Sequence, residues 1–414
     1  MIGRSEDAVV SRGIRFYGWI IVAASLLVTT IAFGSGYSFG VFLTPWRETF
    51  GWTTTAISAA YSICLFFYTG MGILAGWSSD RYGPKAAVVT SGILIGSGLV
   101  LTSQVNAIWQ LYISYALIGM GMSCTYSPLM TTVSRWFDQR RGLALGIIGS
   151  GISAGPLIAA PVAKWLISGY GWRPTFLAMA CASTFIIAAA FMLKKRPPDD
   201  GKLLALNANN SVRGGILTES INFTLKEAIS TRVFWLLCSI FFGVGFGLQM
   251  VIAHIVAYGE GRGLPPVVAA IVLSAVTGGS IAGRILLGMI SDRIGRKKTL
   301  AISIFLEASM IVWLIVATHP WMLFIIAAIF GFGYGGHGTQ FPALIGETLG
   351  LRHMGAILGT AVFFWGIGGA LGTVIAGYIF DITHSYSTAF TIGAIAMLMA
   401  LATTFFVKNP KGLS

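Results

Sequence analysis

The chain has 414 residues, 55% of them hydrophobic and only 10% charged, with a mean hydropathy of +0.80. Soluble domains carry about a quarter charged residues, so a multidomain soluble enzyme, a disordered chain, a collagen and a coiled coil are all excluded. The net charge of +13 would suggest nucleic acid in a soluble protein. Here the basic residues fall in short segments between apolar runs, so they read as membrane topology, and no nucleic-acid partner is expected.

In chain order, a polar stretch reaches about Arg15, with no cleavable signal peptide evident. Apolar runs then predict twelve transmembrane helices at 17–43, 54–77, 85–103, 107–133, 142–167, 173–193, 232–258, 266–290, 299–318, 321–346, 355–380 and 387–407. The long connection 194–231 opens with KKRPPDD and holds no run long enough to span. It predicts an N-terminal six-helix bundle (1–193), a cytoplasmic central loop (194–231) and a C-terminal six-helix bundle (232–414). With both termini inside, 22 of the 27 Lys and Arg fall on inner segments, four on outer ones, and Arg284 lies within a span. This asymmetry predicts a multi-pass protein of the cell (inner) membrane with cytoplasmic termini. Cys64, Cys124, Cys181 and Cys238 each lie in an apolar run without CxxC spacing or a His cluster. They predict neither a disulfide framework nor a metal site.

The halves repeat. GWSSDRYGPK at 76–85 matches GMISDRIGRKK at 288–298, with Asp80 and Asp292 separated by 212 positions, and GMGMSCTYSP at 119–128 resembles GFGYGGHGTQFP at 331–342. Two related six-helix halves point to alternating access, with the substrate site between them near the midplane. The repeated G-x-x-x-D-R-x-G-x-K after spans 2 and 8 resembles the major facilitator superfamily over essentially the whole chain. That implies an all-α polytopic membrane fold of two pseudo-symmetric halves, with Asp80, Arg81, Asp292 and Arg293 as a conformational motif. YGWIIVAAS (17–25), RWFDQRRGLALGI (135–147) and GFGYGGHGTQFPAL (331–344) look like the monocarboxylate transporter family and its oxalate/formate antiporter relatives. The resemblance implies transport of small organic anions, often with a proton.

Arg284 is the one basic residue deep in a span, about 12 Å from the end marked by Asp292. A buried guanidinium keeps its proton, costs at least ~2.5 kcal/mol to insert, and matches a carboxylate with its fork. The resembled family has its substrate arginine in this span. Animal members also carry an Asp one turn earlier and a Lys in span 1; here these positions are Ser280 and Val41. Oxalate-exchanging relatives add a Lys in span 11, whereas 355–380 holds neither Lys nor Arg. One carboxylate is therefore expected to be preferred over two.

His337 lies near the middle of span 10 with Tyr334 on the same face, and is the expected proton site because histidine is the side chain that ordinarily changes charge near physiological pH. Glu307 is the second proton candidate, but its span is expected at the outside of the bundle, which favours a structural or lipid-facing role. Tyr37, Tyr126, Gln249 and His254 are candidate path-lining residues, each also able to make a helix-to-helix hydrogen bond. Gly142, Gly151, Gly155 and Pro156 follow the spacing of the antiporter motif of drug exporters, and equally allow close helix packing. No zinc, serine-triad or phosphate-loop constellation is present. The expectation is a monomeric, cofactor-free, proton-coupled symporter of lactate, pyruvate, formate or acetate type and not an enzyme. The alternative is an exporter or exchanger of other organic anions or amphipathic compounds.

Overall fold

The computed structural model describes residues 2–137, 140–194 and 222–407. Among them the ordered elements are all helical. In a bilayer this is forced, because each helix satisfies its own backbone hydrogen bonds where no water can. We number the long helices α1 Ile2–Tyr37, α2 Thr54–Tyr82, α3 Pro84–Ser103, α4 Ile108–Trp136, α5 Arg141–Tyr170 and α6 Trp172–Ala190. The second set is α7 Arg232–Gly261, α8 Pro266–Ile294, α9 Arg296–Val316, α10 Pro320–Thr348, α11 Met354–Thr383 and α12 Ser387–Phe406.

Three details depart from the expected spans. The first run continues past Tyr37 through a 3₁₀ turn, Ser38–Phe42, into a short helix, Leu43–Phe50, ended by Gly51 in the left-handed region. Helix α2 is two segments, Thr54–Gly70 and Gly72–Tyr82, bent by 42°. Among the described residues ten helices pass on length and apolarity, and the bent pair makes an eleventh. The helix that falls short, α4, is 29 residues long but rich in buried hydroxyls. Most of these, such as Ser114, Thr125 and Thr132, bond back to a carbonyl three or four residues earlier, which makes them tolerable in hydrocarbon.

The expected central loop also ends in structure. Thr224 and Glu227 form a reciprocal capping box on a short helix, Leu225–Ile229. The Thr224 backbone amide and hydroxyl hold the Glu227 carboxyl below its ordinary value. Just before it, the Phe223 amide donates to the Leu349 carbonyl, and Asn222 Oδ1 accepts from the Arg352 amide. This end of the connection therefore sits on the α10–α11 turn; residues 195–221 lie outside the described part.

Large apolar side chains such as Trp165, Phe66 and Val374 remain more than 60% exposed. A protein surface in water does not carry such a belt, but lipid tails solvate it. Inside, small residues let helices touch by their backbones. A Cβ on Gly119 would lie 2.2 Å from the Cys64 carbonyl oxygen, and one on Gly331 would lie 2.0 Å from that of Val276. Both contacts are related by the same 212-residue offset as the motif aspartates, so the internal repeat is a repeat of packing. The turns after α2 and α8 match as well: Gly83 and Gly295 hold φ of 93° and 94°, where a side chain is strained.

Candidate substrate site

The repeated motif closes one end of the bundle. Asp80 Oδ1 pairs with Arg135 Nη2 at 2.6 Å, and its Oδ2 accepts the Ala356 amide at the start of α11. Arg135 also donates from Nε and Nη2 to the Leu351 carbonyl. On the opposite side, Asp292 accepts the Gly142 and Leu143 amides at the start of α5 and pairs with Arg296 at 2.6 Å. Each aspartate thus neutralises the positive end of a helix from the other set of six. Of the expected motif residues, Arg81 instead lies over the Trp77 and Tyr82 rings, and Arg293 is exposed. The cations that hold the aspartates, Arg135 and Arg296, were not singled out from sequence. The offset carries Arg135 onto Glu347, which pairs with Arg296 at 3.3 Å, so the two corners share their aspartate and differ in where the cation stands.

Backbone contact continues inward from these corners. A Cβ on Gly142 would be 2.1 Å from the Gly288 oxygen, and one on Gly146 2.1 Å from the Arg284 oxygen. The small residues of α5 are accounted for by this packing, as are Gly151 and Gly155 against α1.

Just above lies a cavity of about 60 Å³, walled by Arg284, His337, Tyr37, Tyr68, Tyr126 and Tyr334, with apolar groups between them. Arg284 is 1% exposed, and its side chain passes between α5 and α10. Cβ atoms on Gly149 and Gly338 would each come within 3.1 Å of its Nη1. Its Cζ stands 4.9 Å from the Tyr334 ring centroid, a cation–π contact. Tyr126 donates to the Gly338 carbonyl at 3.2 Å, bridging α4 and α10. No carboxylate among the described residues forms an ion pair with Arg284, and its Nε has no hydrogen-bond partner.

A larger cavity of about 450 Å³ shares the Tyr37 and Tyr334 walls and extends to Gln249, Ser62 and Thr277. Its lining residues on α2 and α8 lie toward the helix ends away from Asp80 and Asp292, and those on α5 lie at mid-helix. The path is therefore shut at the motif end and hollow on the other side. Ser280, where the resembled family has an acid, meets Ser153 at 2.6 Å across the α5–α8 seam.

One expectation is corrected. Glu307 does not face lipid: it is fully buried, and its Oε1 lies 2.6 Å from His337 Nδ1. Helix α9 points its Thr299, Ser303 and Glu307 stripe inward because Gly333 and Gly336 of α10 leave room for it. His254 contacts Tyr386 Oη at 3.3 Å and the Thr373 carbonyl at 3.1 Å, the helix-to-helix bond that is its other reading. Such bonds contribute about 0.6 kcal/mol, so His254→Phe is expected to keep uptake within about twofold of wild type. Loss of uptake in folded His254→Phe protein, measured in proteoliposomes, would put this residue on the path.

The family model described as Major Facilitator Superfamily matches residues 25–290 and 266–414. Monocarboxylate transporter 13 of Rattus norvegicus is 27% identical over 385 residues, covering 92% of this chain and 87% of the relative. The oxalate:formate antiporter of Oxalobacter formigenes is 26% identical over 406 residues, covering 96% and 93%. Among solved structures, the proton:xylose symporter XylE superposes with a TM-score of 0.76 at 14% identity, covering 96% of this chain and 97% of that one. FucP in its outward conformation superposes with a TM-score of 0.73 at 15% identity, covering 95% and 99%.

Proposed function

Because the chain belongs to the major facilitator superfamily and is a multi-pass membrane transporter, we propose that it carries small monocarboxylates of the lactate, pyruvate, formate or acetate type together with a proton. Arg284 supports this reading most directly. It is a permanent cation on a cavity wall, with an unpartnered Nε and no ion pair to a carboxylate among the described residues. A substrate carboxylate would pair with the guanidinium directly and accept from its fork. Aromatic and aliphatic walls suit a short carbon chain, and the tyrosine hydroxyls can donate to the carboxylate. The rat relative is named for monocarboxylates, and the Oxalobacter relative for formate, a monocarboxylate, together with the dicarboxylate oxalate.

On this reading residues 1–193 and 232–414 form two bundles that rock about the site, joined by a cytoplasmic segment, 194–231. The basic excess on one set of connections supports cytoplasmic termini and the inner membrane. The motif end is then the cytoplasmic gate, shut here, and the chain works as a monomer.

Uptake of a panel of radiolabelled acids into proteoliposomes, with an inward proton gradient or with internal acid, tests the reading. Acetate and lactate are expected to compete strongly, and succinate weakly. A second carboxylate meets no second permanent cation and stays desolvated, at a cost of several kcal/mol, and each ~1.4 kcal/mol is tenfold in affinity. Succinate or oxalate competing better than lactate would reject the monocarboxylate assignment. Uptake that needs internal acid and ignores the gradient would make the protein an exchanger.

A further inference from the structure

His337 and Glu307 form a buried hydrogen-bonded pair on the edge of the Arg284 cavity, 2% and 0% exposed. With Glu307 ionised, its oxygen accepts from Nδ1–H, and Nε2 of the neutral ring keeps a lone pair. Nε2 makes no hydrogen bond among the described residues, and its ring lines the same cavity as the guanidinium. The other titratable groups facing this spot are Tyr334 of α10, Tyr37 of α1, Tyr68 of α2 and Tyr126 of α4. α7 and α11 contribute Phe241 and Trp365 to the cavity, which carry no charge.

Building on the monocarboxylate reading, we propose that Glu307 and His337 act as one unit. Glu307 balances the charge of Arg284 when the site is empty, and His337 Nε2 takes up the transported proton when an anion binds.

When the bundle closes over the site, its net charge is no longer screened by water. Empty, Arg284 and ionised Glu307 sum to zero across the neutral imidazole between them. With anion alone the site is at minus one; with a proton alone, at plus one. With both it is again neutral: the anion pairs with Arg284, and the imidazolium donates from Nδ1 to Glu307 and from Nε2 toward the anion. Net charge is costly in low dielectric, so the bundle closes readily only in the two neutral states. Anion and proton then bind cooperatively, each raising the other's affinity by the same factor. The proton arrives from solvent at Nε2, and on release it returns to solvent with the anion. Glu307 is a positioning residue: it fixes the tautomer and steadies the imidazolium without meeting the substrate.

The two residues must then fail differently. Glu307→Gln leaves the anion-loaded site neutral without a proton and the empty site at plus one. It is expected to keep counterflow exchange within about threefold of wild type while losing proton-driven accumulation, and its counterflow affinity should be flat from about pH 6 to 8. His337→Gln leaves the loaded site at minus one with no proton acceptor, so both modes should fall by about tenfold or more. Accumulation by Glu307→Gln under an inward proton gradient, at the wild-type level, overturns the proposal.

A thermal-melting cycle in detergent with Arg284→Met, Glu307→Gln and the double variant needs no substrate. Each single variant is expected to melt lower and the double to recover part of the loss; additive losses overturn the charge balance even if Glu307→Gln is inactive in every mode. If wild type transports none of the acids, the monocarboxylate reading fails, and the melting cycle still decides whether Glu307 balances Arg284.

Discussion

Arg284→Lys is expected to lose monocarboxylate uptake almost as completely as Arg284→Ala, by two to three orders of magnitude. The guanidinium lies in a slot between Gly149 and Gly338 that holds its plane, and its face rests on Tyr334. A lysine keeps the charge but loses the two-pronged donor and the stacking. Truncating one partner of a buried, hydrogen-bonded charge pair costs about 3–5 kcal/mol, and each ~1.4 kcal/mol is tenfold. The measurement is initial uptake rate in proteoliposomes, with monodispersity on gel filtration as the control for folding. Near-normal uptake by Arg284→Ala would remove the anchor from the proposed function altogether.

The second large effect is expected at the gate. Gly76→Val and Gly142→Val would each drive a side chain into the backbone of the facing helix, since Cβ atoms there fall 2.0 and 2.1 Å from the Gly355 and Gly288 oxygens. Backbone cannot swing aside as a long side chain can, so the shut state becomes inaccessible and the population moves to the state open at the motif end. A preference of about 5.5 kcal/mol takes a two-state equilibrium from 1:99 to 99:1, and a clash of this kind is large enough to stall the cycle. Transport should fall at least about a hundredfold. A cysteine placed at Ser62 or Thr277, in the larger cavity, should become slow to label with a polar maleimide. Gly40→Ala, which meets nothing within 4 Å, serves as the neutral control. Unchanged labelling in Gly76→Val would mean that the close approach at the motif end is not the gate.

These outcomes follow from features that differ in how plainly the sequence displays them. The spans were legible because a bilayer leaves hydropathy and helix length few ways to vary. Arg284 and His337 stood out because an ionisable group inside an apolar run is costly and needs a reason. Glu307 was misplaced because a helix that is apolar nearly all round does not declare which face turns inward. The signal that could have turned it was the four-residue spacing of Thr299, Ser303 and Glu307, matched by Gly333 and Gly336 on the next helix. The bend between Gly70 and Gly72 had no cue stronger than its glycines. The gate cations were hidden for a different reason. The repeated D-R pairs point to Arg81 and Arg293, whereas the geometry uses Arg135, two helices on, and Arg296, one turn on. The repeat does not carry these cations, since the 212-residue offset takes Arg135 to Glu347 and Arg296 to Pro84.

One asymmetry of the central cavity bears on how such a protein can change over evolutionary time. Every ionic group there, Arg284, Glu307 and His337, stands on α8, α9 or α10, whereas α1, α2 and α4 contribute tyrosines and apolar walls. A duplicated ancestor would have started with equivalent faces on both sides. On the proposed function, the present division separates what powers the cycle from what recognises the cargo's shape. Substitutions in Tyr37, Tyr68 or Tyr126 can reshape the pocket for a longer or bulkier acid without disturbing the ionic machinery. Lineages descended from such a chain could diversify in substrate by drifting on one face while purifying selection held the other.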